Sequence, residues 1–341
     1  MLYGIAAALA ALFLAAVLAA LLRALALRLG AVERRRGRVV ALLGGPAVVV
    51  ATGLVAGAGD WTDVAPLGPA AGRLLVAGAG VGALGLVADL RAVPLAVRAA
   101  VVTAAAALTV PFGELGLPVG IVAVGWIVLV AHAFTSLDHA DGVMGTVAVV
   151  TAFALSGCAA AEVMDGLATL LSVLAAALTG FLMHGWPPAR IAPGRCGGLF
   201  AGFVLASAAV LVHAGREAGP GVGAVFALTV VATADAALVL VSRRRAGRPL
   251  LRGACDHLGH RLRHLGVTAP GAAVLVGATH PRSISRPTSA PAKPVAPTRT
   301  AALWVAGGAS VMVLVLLRVP AYGAGFLGKP QAGAHLRVRN R

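Results

Sequence analysis

Carboxylates are scarce in this chain. Twelve of its 341 residues are Asp or Glu, against 28 Lys and Arg, and charged residues of both signs together make up 12%. A soluble globular domain carries about 25% charged residues, so an ordinary water-facing surface is excluded. Cysteine is sparser still, at three residues. Cys158, Cys196 and Cys255 are scattered and odd in number, which gives neither a disulfide framework nor a metal-ligand spacing. The first apolar segment, from Leu2 to about Leu22, has no basic region before it; Arg23, Arg28, Arg34, Arg35, Arg36 and Arg38 follow it instead. It reads as a retained first span, not a cleaved signal peptide.

What the chain has in abundance is apolar sequence. It is 59% hydrophobic, with a mean hydropathy of +0.93. Runs of roughly 20 apolar residues, each long enough to cross a bilayer, recur along the whole length. They are continuous, without the ten-residue alternation of barrel strands, so helices are expected. The fold expectation is an all-α, polytopic integral membrane helical bundle. Spans are expected at about 2–22, 39–59, 72–88, 92–112, 116–136, 142–161, 166–185, 197–214, 220–242 and 300–319. The apolar stretch 271–279 is too short to cross unaided. Residues 280–299 are rich in Pro and Ser and basic, and read as a linker. The division expected is a bundle over 1–270, the short segment and linker over 271–299, a last helix at 300–319 and a basic tail over 320–341. No internal repeat stands out.

A formal charge of +16 invites a nucleic-acid reading, but the arginines cluster in short loops beside the spans, and the positive-inside rule accounts for them more simply. Loops after the odd spans hold the arginine cluster 23–38, Arg91, Arg190, Arg195 and the run SRRRAGRPLLRGACDHLGHRLRHLG; loops after the even spans hold Asp60, Asp63, Glu114, Glu162, Asp165 and the pair Arg216 and Glu217. That asymmetry places the odd loops in the cytoplasm and the N-terminus outside a plasma membrane.

Four odd loops then bring unusual residues to one face. GLVADLRAVP carries Asp89; HAFTSLDHADGVMG carries Asp138 and Asp141; PPARIAPGRCGGLFAGF carries Arg190 and Arg195; DHLGHRLRHLG carries Asp256, His257, His260, Arg261, Arg263 and His264. Carboxylates at membrane depth are costly, so they tend to be paired or to face a wet cavity. Gathered opposite Arg and His, they suit a hard divalent cation and phosphate groups. Plainer readings stand beside this one. Asp138 and Asp141 fit an N-cap for the next helix. Asp89 fits an interfacial pair with Arg91. The arginines fit topology determinants alone, and the histidines solvated loop residues. Asp235, inside an expected span, fits a polar link between helices.

In this order and spacing the four loops, with ALLGGPAVV at 41–49, resemble the polyprenyl-phosphate N-acetylhexosamine-1-phosphate transferases. That family includes the phospho-MurNAc-pentapeptide translocases and the undecaprenyl-phosphate GlcNAc-1-phosphate transferases. The resemblance runs from about residue 30 to 268. It implies ten or eleven helices around a cytoplasmic cleft in a bacterial plasma membrane, with a homodimer by analogy. It implies a reaction in which polyprenyl phosphate attacks a UDP-N-acetyl-amino sugar and UMP leaves. By resemblance Asp89, Asp138 and Asp141 are catalytic, Asp89 and Asp138 hold Mg²⁺, and His132, Thr135, Arg190, Arg195, His257, His260 and Arg261 contact substrate.

The sequence also departs from the family pattern. An expected Asp-Asp pair reads Ala88-Asp89, and an expected Gly-Asp reads Gly194-Arg195. Two asparagine positions read His132 and Thr135, and a His-His pair reads Gly259-His260. Two readings follow from the family: a transferase working in cell-wall or surface-glycan synthesis, and a catalytically impaired member that binds lipid phosphate or nucleotide sugar, or serves as a scaffold. A third, a transporter or channel of unrelated fold, calls for polar residues along a path at mid-bilayer, where only Asp235 and Arg98 qualify.

Overall fold

The computed structural model describes residues 2–35, 38–138 and 141–214, with Val241 and Arg244. The expected spans at 220–242, apart from Val241, and 300–319, the segment 271–279, the linker and the tail lie outside the described residues.

Helices dominate, as the continuous apolar runs require. They are α1 (Leu2–Leu29), α2 (Gly44–Trp61), α3 (Gly68–Leu90), α4 (Leu95–Thr109), α5 (Phe112–Leu115), α6 (Leu117–Leu137), α7 (Val143–Ala161), α8 (Asp165–Gly185) and α9 (Gly194–His213). Among the described residues six stretches are long and apolar enough to cross a bilayer: Gly4–Leu29, Gly68–Leu90, Phe112–Leu137, Val143–Ala161, Asp165–Gly185 and Gly194–His213. The protein is a helical, multi-pass membrane protein.

Two expected spans come out differently. The one at 39–59 begins as a strand, and its helix starts only at Gly44, where the sequence Gly44-Gly45-Pro46 opens the first turn. Proline there loses no hydrogen bond, since the first helical N–H groups have no intrahelical acceptor. The one at 92–112 shortens to α4, 15 residues between Pro94 and a stop before Pro111. At about 1.5 Å per residue it is shorter than a typical hydrocarbon core.

Helix α9 is the centre. Of its most apolar window 89% is buried inside the bundle, against 22% for α1. It packs against α2, α3, α6 and α7, while α8 packs between α1 and α7. Small residues set the close approach of α3 to α9. Gly78, Gly82 and Gly85 face Val204, Phe200 and Cys196, and a Cβ on Gly85 would lie 2.6 Å from the Cys196 Cα. Lipid offers no hydrophobic drive between helices, so contact of this kind holds them together.

The sequence gives no warning of the two strands. β1 (Val32–Arg35) and β2 (Arg38–Ala41) form an antiparallel hairpin, pairing Val32 with Ala41 and Arg35 with Arg38. Ala41 also bridges to Ile191 in the α8–α9 loop, where the Ala192 N–H donates to the Ala41 carbonyl at 2.7 Å. The hairpin is thereby pinned to the end of the bundle where α3, α6 and α8 finish and α9 begins.

Candidate active site

The first turn of any helix leaves N–H groups without intrahelical acceptors. In α9 two of these are met by a side chain from another helix. Asp89, in the last turn of α3, accepts the Arg195 N–H on Oδ1 at 2.9 Å and the Cys196 N–H on Oδ2 at 3.0 Å. A carboxylate at a helix N-terminus also complements the helix dipole. Gly194 makes room: its φ is +62°, and a Cβ there would sit 2.5 Å from Asp89 Oδ2. The exchange is reciprocal. Arg195 Nη1 donates to the Ala88 carbonyl at 2.6 Å, near the C-terminus of α3, where a cation is favourable. Asp89 is nearly enclosed at 5% side-chain exposure, whereas Arg195 is 51% exposed and its Nη1 lies 4.0 Å from Asp89 Oδ1.

The hairpin supplies a second set. Arg35 clamps Asp138, the residue that closes α6. Its Nη2 donates to Oδ2 at 2.9 Å and its Nη1 to the Asp138 backbone carbonyl at 2.6 Å. Its Nε donates to Glu33 Oε2 at 2.7 Å. Burial alone would lower the Arg35 pKa, but the carboxylates of Asp138 and Glu33 outweigh it and hold the guanidinium above its ordinary value. Arg38 Nη2 donates to Asp141 Oδ2 at 2.9 Å, and the Ala189 N–H reaches the same oxygen at 3.3 Å. A small pocket opens here, lined by Arg35, Asp138, Asp141, Met144, Phe181 and Pro193 among others. Pro193 immediately precedes the Gly194-Arg195 turn that holds Asp89, so the two sets are neighbours.

The residues expected at the site thus divide. Asp89, Asp138, Asp141 and Arg195 come together at one end of the bundle. Arg190 is exposed in the adjoining loop, its backbone N–H bonded to the His184 carbonyl. His132 and Thr135 lie on α6 and bond to their own helix: His132 Nδ1 pairs with the Val128 carbonyl at 2.9 Å, and Thr135 Oγ1 donates to the His132 carbonyl at 2.7 Å. A carbonyl only accepts, so the His132 hydrogen sits on Nδ1; Nε2 is buried without a partner among the described residues. His257, His260, Arg261, Asp235 and Asp256 lie outside the described residues.

Two of the plainer readings are replaced. Helix α7 starts after Gly142 with no side-chain cap bond, so neither Asp138 nor Asp141 is its cap. Asp89 turns to Arg195 and the α9 backbone in place of Arg91. Arg35 and Arg38, read from sequence as topology charges, are the residues missed. Their partners stand 103 positions away, and no local pattern announces such a contact.

These carboxylates do not fit a magnesium ion as they stand. Magnesium demands near-octahedral oxygen donors at about 2.0–2.1 Å. Both oxygens of Asp89 serve α9, Asp138 is gripped by Arg35 and Asp141 by Arg38. Among the described residues no group of three or more His, Cys, Asp or Glu side chains is placed to hold a metal.

The sequence profile of glycosyl transferase family 4 matches residues 72–213, which contain Asp89, Asp138, Asp141 and Arg195. A candidate glycosyltransferase of Streptomyces coelicolor is 56% identical over 343 residues, covering 99% of this chain and 83% of its own length. The chain belongs to glycosyl transferase family 4. A decaprenyl-phosphate N-acetylglucosaminephosphotransferase of Mycobacterium tuberculosis is 31% identical over 236 residues, covering 57% of each protein. The polyprenyl-phosphate hexosamine-1-phosphate transferase family that the motifs resemble is therefore this chain's family. The family 4 match begins beyond the hairpin, so Arg35 and Arg38 belong to the site by geometry alone.

Proposed function

We propose that the chain transfers a phospho-N-acetyl-amino sugar from a UDP-sugar to polyprenyl phosphate in cell-wall or surface-glycan synthesis, with its motif loops on the cytoplasmic side. The observation that carries this reading is the meeting of three motif loops at one end of the bundle, where Asp89, Asp138, Asp141 and Arg195 lie beside a pocket. An oxygen of the lipid phosphate bonds to the β-phosphorus of the UDP-sugar, the bond from that phosphorus to the bridging oxygen breaks, and UMP leaves with the electron pair. A phosphate is already anionic at neutral pH, so the attack needs little from a side-chain base. It needs positioning and positive charge around the transferred group. Arg195, half exposed at the start of α9, supplies charge, and Asp138 and Asp141 hold Arg35 and Arg38 in fixed positions.

A second reading has its own support. Every carboxylate of the described site is already bonded to protein donors, which suits a member that binds these ligands without turning them over. UMP release separates the two. The purified protein in lipid nanodiscs is supplied with undecaprenyl phosphate and a panel of UDP-N-acetyl-amino sugars. Release that requires both substrates supports the transferase. No release, from folded protein that binds a UDP-sugar, supports the binding role.

A further inference from the structure

We propose that this site holds the phosphate groups of its ligand with arginine in place of a divalent cation, Arg195 supplying the accessible guanidinium. The inference rests on the reading above that the ligand is a phosphorylated lipid or nucleotide. Its first support is the state of the carboxylates. A cation entering beside Asp89 would have to pull both oxygens from the N–H groups of Arg195 and Cys196, uncapping α9. A cation entering beside Asp138 would have to displace Arg35, whose side chain is only 13% exposed and is held by Glu33 as well.

The second support is charge. Against the pattern the motifs resemble, Ala88 removes one negative charge and Arg195 turns another into a positive one. Among the described residues at this end of the bundle, the guanidinium groups of Arg35, Arg38, Arg91, Arg98, Arg190 and Arg195 outnumber the carboxylates of Glu33, Asp89, Asp138 and Asp141. The protein thus carries in fixed form the positive charge that a divalent ion would bring, and that same charge repels the ion.

The third support is accessibility. Arg195 spends one amino group on the Ala88 carbonyl and is anchored by it. Half the side chain remains exposed, leaving guanidinium donors free to meet phosphate oxygens in the geometry that favours Arg over Lys.

The test uses inorganic pyrophosphate and Mn²⁺ as probes on the full chain in nanodiscs stripped of metal. Calorimetry in EDTA should show pyrophosphate binding. Electron paramagnetic resonance should show no stoichiometric Mn²⁺ site in the parent protein, a measurement that needs no variant. Arg195→Ala should weaken pyrophosphate binding about tenfold or more, the scale of one charge-assisted hydrogen bond. Arg195→Lys should fall between, and Arg73→Ala, at the opposite end of α3, should match the parent. One Mn²⁺ bound per chain, pyrophosphate binding only when metal is added, no pyrophosphate binding, or full affinity in Arg195→Ala would each overturn the proposal. Absence of UMP release with the pyrophosphate results intact would remove the transferase reading and leave this one standing. UMP release from a protein with a stoichiometric Mn²⁺ site would do the reverse.

Discussion

Replacing Asp89 by alanine separates a helix-joining carboxylate from one that waits for a metal. In the structure its two oxygens accept the Arg195 and Cys196 N–H groups, and the side chain is 5% exposed. Asp89→Ala leaves both N–H groups without an acceptor in a nearly closed setting. Each such loss costs about 1–3 kcal/mol, and loss of an ordinary N-cap about 0.5–2 kcal/mol. Water reaching the turn recovers part of this, so the expected loss is about 2–4 kcal/mol. Asp89→Asn keeps one acceptor oxygen but turns an amide NH₂ toward the other N–H, and should lose roughly half as much. The assay is built into the protein. Cys196 is buried at 2% exposure beside the carboxylate, so a thiol-reactive dye reports opening of the α3–α9 junction on heating. Cys158→Ser and Cys255→Ser remove the background. Asp89→Ala should label at a clearly lower temperature than the parent, with Asp89→Asn between. An Asp89→Ala protein that labels at the parent temperature would refute the capping role and return Asp89 to the status of an unspent ligand.

Four further outcomes are expected. Gly194→Ala places a Cβ at φ +62° and against Asp89 Oδ2, and should destabilise the same junction by about 1–2 kcal/mol in the same dye assay. Arg35→Ala removes the guanidinium that grips the enclosed Asp138 carboxylate and should cost about 1–3 kcal/mol, whereas the more exposed Arg38→Ala should cost under about 1 kcal/mol; thermal unfolding of the two variants checks the order. The Arg35 pKa is raised, so the stability it contributes is fully present below the unfolded value and is lost only as pH rises through the still higher folded one. The Arg35–Asp138 coupling in a double-mutant cycle should therefore hold constant from about pH 6 to pH 10. Finally, Ala88→Asp with Arg195→Asp should raise any Mg²⁺-dependent UMP release above the parent; no gain would mean that repulsion by Arg195 is not what keeps the metal out.

Much of the bundle was legible because membrane spans write themselves locally. Runs of apolar residues, bounded by Pro94, Pro111, Gly142 and Gly194, place the helices from α3 to α9 within a few residues. The meeting of the motif loops was legible for a related reason: alternation of spans sends the ends of α3, α6 and α8 to one side. The partners within that meeting were not legible. Val32–Ala41 shows no alternation, and its arginines satisfy the positive-inside rule without folding into anything. What makes it a hairpin is tertiary, through the bridge to Ile191 and the grip on Asp138 and Asp141. Capping was anticipated as a mechanism and assigned to the wrong helix. Asp138 and Asp141 precede α7 in sequence, but the carboxylate that caps is Asp89, brought by packing of α3 to the start of α9.

The proposal that fixed arginines stand where a metal would otherwise neutralise phosphate can be checked on turnover itself. The most direct test is UMP release by the nanodisc protein, with undecaprenyl phosphate and its preferred UDP-sugar, in EDTA and then in added Mg²⁺. If the arginines serve, release proceeds in EDTA and Mg²⁺ does not increase it. Release that is absent in EDTA and restored by Mg²⁺ would contradict the proposal.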